Sequence, residues 1–247
     1  MWALKSFYHY SQVRYPLSIH LQGRVGSRLV ARLRHHFPNA ILIEQAEADS
    51  HVEQWLRERG YLRLLSARRA GALMMKVIDF ILRCRASHLL AIDSDIIFLR
   101  RPEELLVAAQ DPPDTDLFML DPASSYNISE SRALSELGIN LAPKVNTGLM
   151  LLPRDERRLT GCEQYLAQPE VARPSGFIEQ TLHALYSSDQ RGVGYWPATY
   201  YISAGNTVPE LSELVCRHYA GPSRRFLTDE GIPALIEKGF LNELRAR

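Results

Sequence analysis

From Leu89 to Leu99 the chain is apolar except at Asp93, Ser94 and Asp95. An ionised carboxylate buried without a partner costs several kcal/mol, roughly, so both aspartates must reach water, a base or a metal. The chain therefore has to deliver the end of this run to a surface or cleft. Leu89 to Ile92 follows a helical pattern and is bounded by polar residues, which predicts a buried strand of a largely parallel sheet. Open α/β sheets bind ligands at the carboxyl ends of such strands, where Asp93 falls. One residue of spacing lets two carboxylates converge on a hard cation such as Mg²⁺ or Mn²⁺. The plainer alternative has one carboxylate capping the next element and the other in solvent. The triplet alone does not decide between them.

The rest of the chain reads as alternating strand and helix, the pattern of a wound α/β sheet. Trp2 to Tyr10 is predicted helical, Leu17 to Leu21 a strand, Ser27 to His35 a helix and Ala40 to Ile43 a strand. His51 to Arg59 reads as a solvated helix. Ala70, Leu73, Met74, Val77, Ile78, Ile81 and Leu82 recur at helical spacing, predicting one amphipathic helix over 70–82 with Lys76 off its apolar face. Leu117 to Leu120 is a strand, and Asp121 before Pro122 reads as a turn former. The polar stretch Asn127 to Asn140 reads as a surface excursion able to act as a lid. Val145 to Leu152 is a strand in which Gly148 allows something to approach the backbone closely. Phe177 to Tyr186 is a helix that opens on Glu179-Gln180. Tyr195 to Tyr201 is an aromatic cluster, and Val215 to Gly221 a last strand carrying His218.

Length and charge bound the options. The 247 residues suit one α/β domain over residues 1–247, and a formal net charge of +1 gives no global attraction to nucleic acid or to an anionic membrane. Cys84, Cys162 and Cys216 are odd in number and lack C-x-x-C spacing, which points to neither a disulfide framework nor a zinc site and favours a reducing compartment. No run of about 18 apolar residues and no secretory leader is visible, so the expected location is cytoplasmic, or lumenal if an anchor lies upstream of this chain.

Taken in order, the motifs resemble the retaining GT-A glycosyltransferases of the glycogenin type, family 8, including the xylosyltransferase-like domain of the LARGE enzymes. Lys5-Ser6 followed by Pro16 to His20 is similar to the family's early helix and the strand after it. Leu73-Met74-Met75-Lys76 matches the helix that presents a basic residue to the donor phosphates, and Asp93-Ser94-Asp95 the D-x-D metal motif. Asn146-Thr147-Gly148 is similar to the triplet that contacts the donor sugar, and Glu179-Gln180 stands where the family has Asp-Gln. His218-x-x-Gly221-x-x-Arg224 is similar to its His-x-x-Gly-x-x-Lys element.

The resemblance implies a GT-A fold, a mostly parallel mixed sheet flanked by helices. Because the chain starts at or just before the Lys-Ser helix, it also implies that the family's first strand, with its base contacts, is missing. It implies Mn²⁺ or Mg²⁺ on Asp93, Asp95 and His218. Lys76, Ser94, Gly148, Gly221 and Arg224 would bind the donor, and Asn146, Glu179 and Gln180 would act on its sugar. The partners are then a nucleoside-diphosphate sugar, UDP-sugar foremost, and a glycan, lipid or protein acceptor, with no nucleic acid and no membrane span. A phosphatase of the haloacid dehalogenase type also places an aspartate pair after a strand. It needs Thr or Val after the pair and a later Gly-Asp acid cluster, whereas Ile96-Ile97 follows here. The remaining alternative is a degenerate GT-A domain that binds nucleotide or metal, or acts as a scaffold, without turnover.

Overall fold

The structure, a computed structural model, describes residues 1–202 and 209–237. α1 (Trp2–Ser11) leads to β1 (Ser18–Leu21), α2 (Ser27–His36) and β2 (Ile41–Glu44), and β1 and β2 pair in parallel across α2. α3 (Gln45–Glu58) starts more than a turn earlier than expected, because Ala48, Val52 and Leu56 already form a buried row at four-residue spacing.

The helix expected over 70–82 is broken. α4 (Leu62–Ala70) ends at Gly71, whose backbone is extended at φ −144°, ψ 121°; a 3₁₀ turn, Ala72–Met75, and the short α5 (Asp79–Arg83) follow. Met74, Val77, Ile78 and Ile81 are buried as the periodicity requires. Arg68 at the end of α4 donates Nε and Nη2 to Asp79 at the start of α5, 2.8 and 2.7 Å, and so ties the two helices across the break. Lys76 consequently lies in a tight turn and not on a helix flank.

β3 (His88–Ile92), β4 (Ile96–Phe98), α6 (Glu103–Gln110) and β5 (Asp116–Leu120) come next. They are followed by α7 (Glu130–Arg132), β6 (Val145–Pro153), α8 (Arg157–Tyr165) and α9 (Ile178–Gln190). The described elements end with β7 (Val193–Tyr195), β8 (Tyr200–Ile202), β9 (Cys216–His218) and α10 (Ile232–Glu237). One sheet has the order β3-β6-β5-β7 and another β4-β9-β8. β6 runs antiparallel to both neighbours, β4 is antiparallel to β9, and the β5–β7 and β8–β9 pairs are parallel. The architecture is thus mixed α/β, but the parallel neighbour expected for β3 is not there. Among the described residues its one pairing is antiparallel, since an apolar run reports burial and not strand direction. Among the described residues no ladder joins β1 to β3.

Pairing direction is what assembles the site. Because β6 runs against β3, its first residues lie beside the last residues of β3: Ile92 is opposite Leu149, and the Asp93 N–H donates to the Gly148 carbonyl at 2.8 Å. Because β9 runs against β4, His218 is opposite Ile96, and the Tyr219 N–H donates to the Asp95 carbonyl at 2.9 Å.

The segment expected to be a surface lid is anchored. Ile128, Ala133 and Ile139 are in the core, and Asn127 donates Nδ2 to the carbonyls of Val171 and Arg173 at 2.9 and 2.7 Å. The aromatic cluster is structural in the same sense. Trp196 and Tyr200 are buried and stacked at 5.6 Å, with Trp196 Nε1 donating to the Leu149 carbonyl. Among the described residues no helix is long and apolar enough to cross a membrane.

Candidate active site

Asp93, Ser94 and Asp95 form the turn between β3 and β4, with the Ile96 N–H returning to the Asp93 carbonyl. Ser94 is exposed at its tip, and Asp95 is buried beneath. His218 comes in from β9, its Nε2 3.3 Å from Asp95 Oδ1 and 3.9 Å from Asp93 Oδ2. One ligand atom from each of the three lies within 4.8 Å of the others. On its far side His218 Nδ1 is 3.2 Å from Asn146 Oδ1, which accepts when Nδ1 carries the proton. That tautomer turns the Nε2 lone pair toward the two carboxylates, the arrangement of a metal-ligating histidine held by an outer partner. Two carboxylate oxygens and an imidazole nitrogen suit a divalent cation of the Mn²⁺ or Mg²⁺ kind, so the residues fit such an ion.

The carboxylates already carry cationic partners. Lys76 Nζ is 2.8 and 2.9 Å from the two oxygens of Asp93 and donates to the Thr147 carbonyl at 3.2 Å. Burial lowers the pKa of Lys76, but Glu179 and Asp93 outweigh it and raise it on balance. Arg224 reaches Asp95 Oδ2 with Nε and Nη2 at 3.0 and 2.7 Å while the rest of its side chain is exposed. Burial pushes the Asp95 carboxyl up, and His218 with Arg224 more than reverses this, holding it at about 2. Gly221 supplies the left-handed turn, φ +53°, that opens the short 3₁₀ segment ending at Arg224.

Behind the aspartates stand the β6 triplet and the start of α9. Asn146 donates Nδ2 to Asp121 Oδ2 at 2.9 Å and accepts from the Gly148 N–H at 2.9 Å. Glu179, 2% exposed, accepts from Thr147 Oγ1 at 2.9 Å, with Oε1 3.8 Å from Lys76 Nζ. Gln180 is buried next to it and donates Nε2 to the Ser125 carbonyl. Asp93, Asp95, His218, Lys76, Arg224, Asn146, Gly148 and Glu179 are thus brought together, while Ser94 is exposed at the turn's tip, Gly221 acts through the backbone turn before Arg224, and Gln180 turns its amide to the Ser125 carbonyl.

Three neighbours have roles that local sequence pattern does not disclose. Asp121 orients Asn146 as well as forming its turn with the Ala123 N–H. Thr147 holds Glu179. His183, wholly buried, sits one helical turn beyond Glu179 with Nε2 3.7 Å from Oε1, and burial keeps it neutral. Four-residue spacing on α9 was the available signal, and it becomes informative only once Glu179 is known to face inward.

Burial pushes the Glu179 carboxyl up to about 7. Between its ordinary value of 4.5 and about 7, the folded protein holds a proton that the unfolded chain has released, so stability falls as pH rises through that window. Glu179→Gln removes this slope. Denaturant unfolding of the metal-free proteins should show the variant gaining about 2 kcal/mol on wild type between about pH 5 and about pH 8. Parallel stability–pH curves for the two proteins would contradict the assignment.

No family model and no curated protein sequence matches the chain. Solved structures do. Galactosyltransferase LgtC, in complex with donor and acceptor sugar analogs, is 15% identical over 98% of this chain and 90% of its own, with a TM-score of 0.56. Mouse xyloside xylosyltransferase 1 in its apo form is 14% identical over 88% of this chain and 89% of its own, TM-score 0.50. The bifunctional glycosyltransferase WbbM is 14% identical over 94% of this chain and 46% of its own, TM-score 0.57. The chain has the GT-A fold of these proteins.

Proposed function

We propose that the chain is a metal-dependent glycosyltransferase that moves a sugar from a nucleoside-diphosphate donor, a UDP-sugar, to an acceptor hydroxyl with retention of configuration. The observation that carries this reading is the convergence of Asp93, Asp95 and His218 on one point from the ends of two strand pairs, flanked by Lys76 and Arg224. Xyloside xylosyltransferase and LgtC, on the same fold, are sugar transferases by name, which supports the reaction class.

Charge supports the substrate class. Lys76 and Arg224 balance Asp93 and Asp95, so even with Glu179 ionised a divalent cation leaves the site net positive and able to accept a diphosphate. Such an ion, when bound to Asp93, Asp95 and His218, supplies Lewis-acid stabilisation of the departing diphosphate. Arg224 would exchange its hold on Asp95 for a phosphate oxygen, its fork suiting bidentate contact. Lys76 would contribute a fixed positive charge from within the protein. Ser94 at the turn's tip and the backbone at Gly148 and Gly221 would line the donor, while Asn146, Glu179 and Gln180 would orient its sugar. Residues 1–247 would form one domain around this cleft.

The same ion pairs favour a second reading. A site whose carboxylates are already neutralised by Lys76 and Arg224 is complete without metal, as in a scaffold that no longer turns over. Calorimetry separates the two. Binding of UDP that appears with Mn²⁺ and vanishes with chelator, together with Mn²⁺-dependent hydrolysis of a UDP-sugar, is the result expected. UDP binding of equal strength with and without Mn²⁺, or none in either case, would sink the enzyme reading.

A further inference from the structure

Six of the 29 Lys and Arg residues fall in the first 43 positions, and none of the 28 Asp and Glu does. α2 carries three of the six, Arg28, Arg32 and Arg34, and Lys5 reaches His36 at its end. Arg14, Arg24, Arg28, Arg32 and Arg34 are exposed, Lys5 is partly so, and among the described residues no acid pairs with any of them. On α3 the pattern is the reverse, where Glu53 alone holds both Arg57 and Arg69. Lys5 Nζ lies 3.4 Å from His36 Nε2, and its pKa is lowered first by burial and then by the charge of Arg32, so α1 and α2 press like charges together. Such repulsion costs folding free energy unless an anion relieves it.

An apolar side chain borders the cations. Leu29, between Arg28 and Arg32 on α2, is 44% exposed. Only Leu33 of α2 is buried, so nearly the whole helix faces outward. Cations with interspersed aliphatic groups match the headgroup region of an anionic bilayer, where basic side chains meet phosphate and aliphatic ones reach the acyl boundary. A polynucleotide would leave the exposed Leu29 without a partner, whereas an acyl boundary would cover it.

We propose that the outward face of α2 is a docking surface for a membrane rich in anionic phospholipid. The inference does not depend on the reaction proposed for the Asp93 site.

The test is co-sedimentation of the whole chain with vesicles of phosphatidylcholine alone or with about one-third phosphatidylglycerol. Binding is expected to the anionic vesicles only and to disappear at about 1 M salt, where charges more than about 3 Å apart are screened. Arg28→Gln with Arg32→Gln should weaken it about 30-fold, each cation near such a surface being worth about fivefold. Leu29→Ser should weaken it further. Both arginines are exposed and unpaired, so the helical circular dichroism should be unchanged. The wild-type salt dependence tests the proposal without any variant. Binding to both vesicle types alike, binding to neither, or binding that the double substitution leaves intact overturns it, as does a stronger preference for RNA that Leu29→Ser does not affect.

Discussion

Asp95→Ala is expected to abolish Mn²⁺-dependent hydrolysis of the sugar-nucleotide donor, lowering it at least ~100-fold, since losing even an outer partner of a metal ligand costs about 10–100-fold. The side chain does three things at once. Its Oδ1 faces His218 Nε2 at 3.3 Å, its Oδ2 takes both donors of Arg224, and it stands in the three-ligand cluster with Asp93. Removing it should release Arg224, leave His218 without its nearest carboxylate and reduce the cluster to two ligands. Asp95→Asn is the control for shape, because the amide oxygen can still accept from Arg224 while the negative charge is gone. It should fold as wild type and lose Mn²⁺ binding, measured by the electron paramagnetic resonance signal of the free ion. Hydrolysis surviving Asp95→Ala at the wild-type rate would remove the metal from the proposed reaction.

How this site could be read from the sequence varies from residue to residue. Asp93 and Asp95 were legible because a charge within an apolar run is an anomaly whatever the fold. Lys76 was not legible on its own. Helical periodicity put it on a solvated flank, and only the break at Gly71 and the turn after Met74 direct its ammonium to Asp93. His218 alone carried no signal either, since its contact with Asp95 depends on β9 pairing with β4 across more than a hundred residues of chain. For Lys76 and His218, the order of several weak motifs carried more information than local pattern did.

The fold shows the same division. Elements set by local spacing, such as α1, β1, α2 and β6, fall close to where the sequence puts them. Direction and partner do not follow from spacing, which is why β3 was expected beside a parallel strand and lies against the antiparallel β6. The 127–140 segment read as a surface lid because its polar residues outnumber its apolar ones. Three of its five apolar residues, Ile128, Ala133 and Ile139, decide its placement by entering the core. His183 was missed for a related reason: a buried neutral imidazole leaves no mark in composition, and its nearness to Glu179 appears only when α9 turns that face inward.

Gly148→Ala should disable the metal site without replacing any ligand. The Cβ added there would lie 2.3 Å from His218 Cε1 and 2.4 Å from Nδ1, closer than non-bonded carbon and nitrogen can approach, and 3.1 Å from Asn146 Oδ1. β6 cannot move away, because the Gly148 carbonyl accepts from the Asp93 N–H and its own N–H donates to Asn146. The strand is also buried along nearly its whole length. The imidazole must therefore give way, and doing so breaks the Asn146 contact that fixes its tautomer and draws Nε2 from the two carboxylates. Overpacking of this kind costs about 1–3 kcal/mol of stability, well below what unfolds a domain of ordinary stability. Mn²⁺ affinity should fall far more steeply, about 100-fold, because ligand position decides it. The expected result is a folded protein with a slightly lowered melting temperature, a cooperative transition and Mn²⁺ binding reduced to the level of Asp95→Asn. Wild-type Mn²⁺ affinity in Gly148→Ala would mean that His218 is not a ligand, and the ion would then have to be held by Asp93 and Asp95 without it.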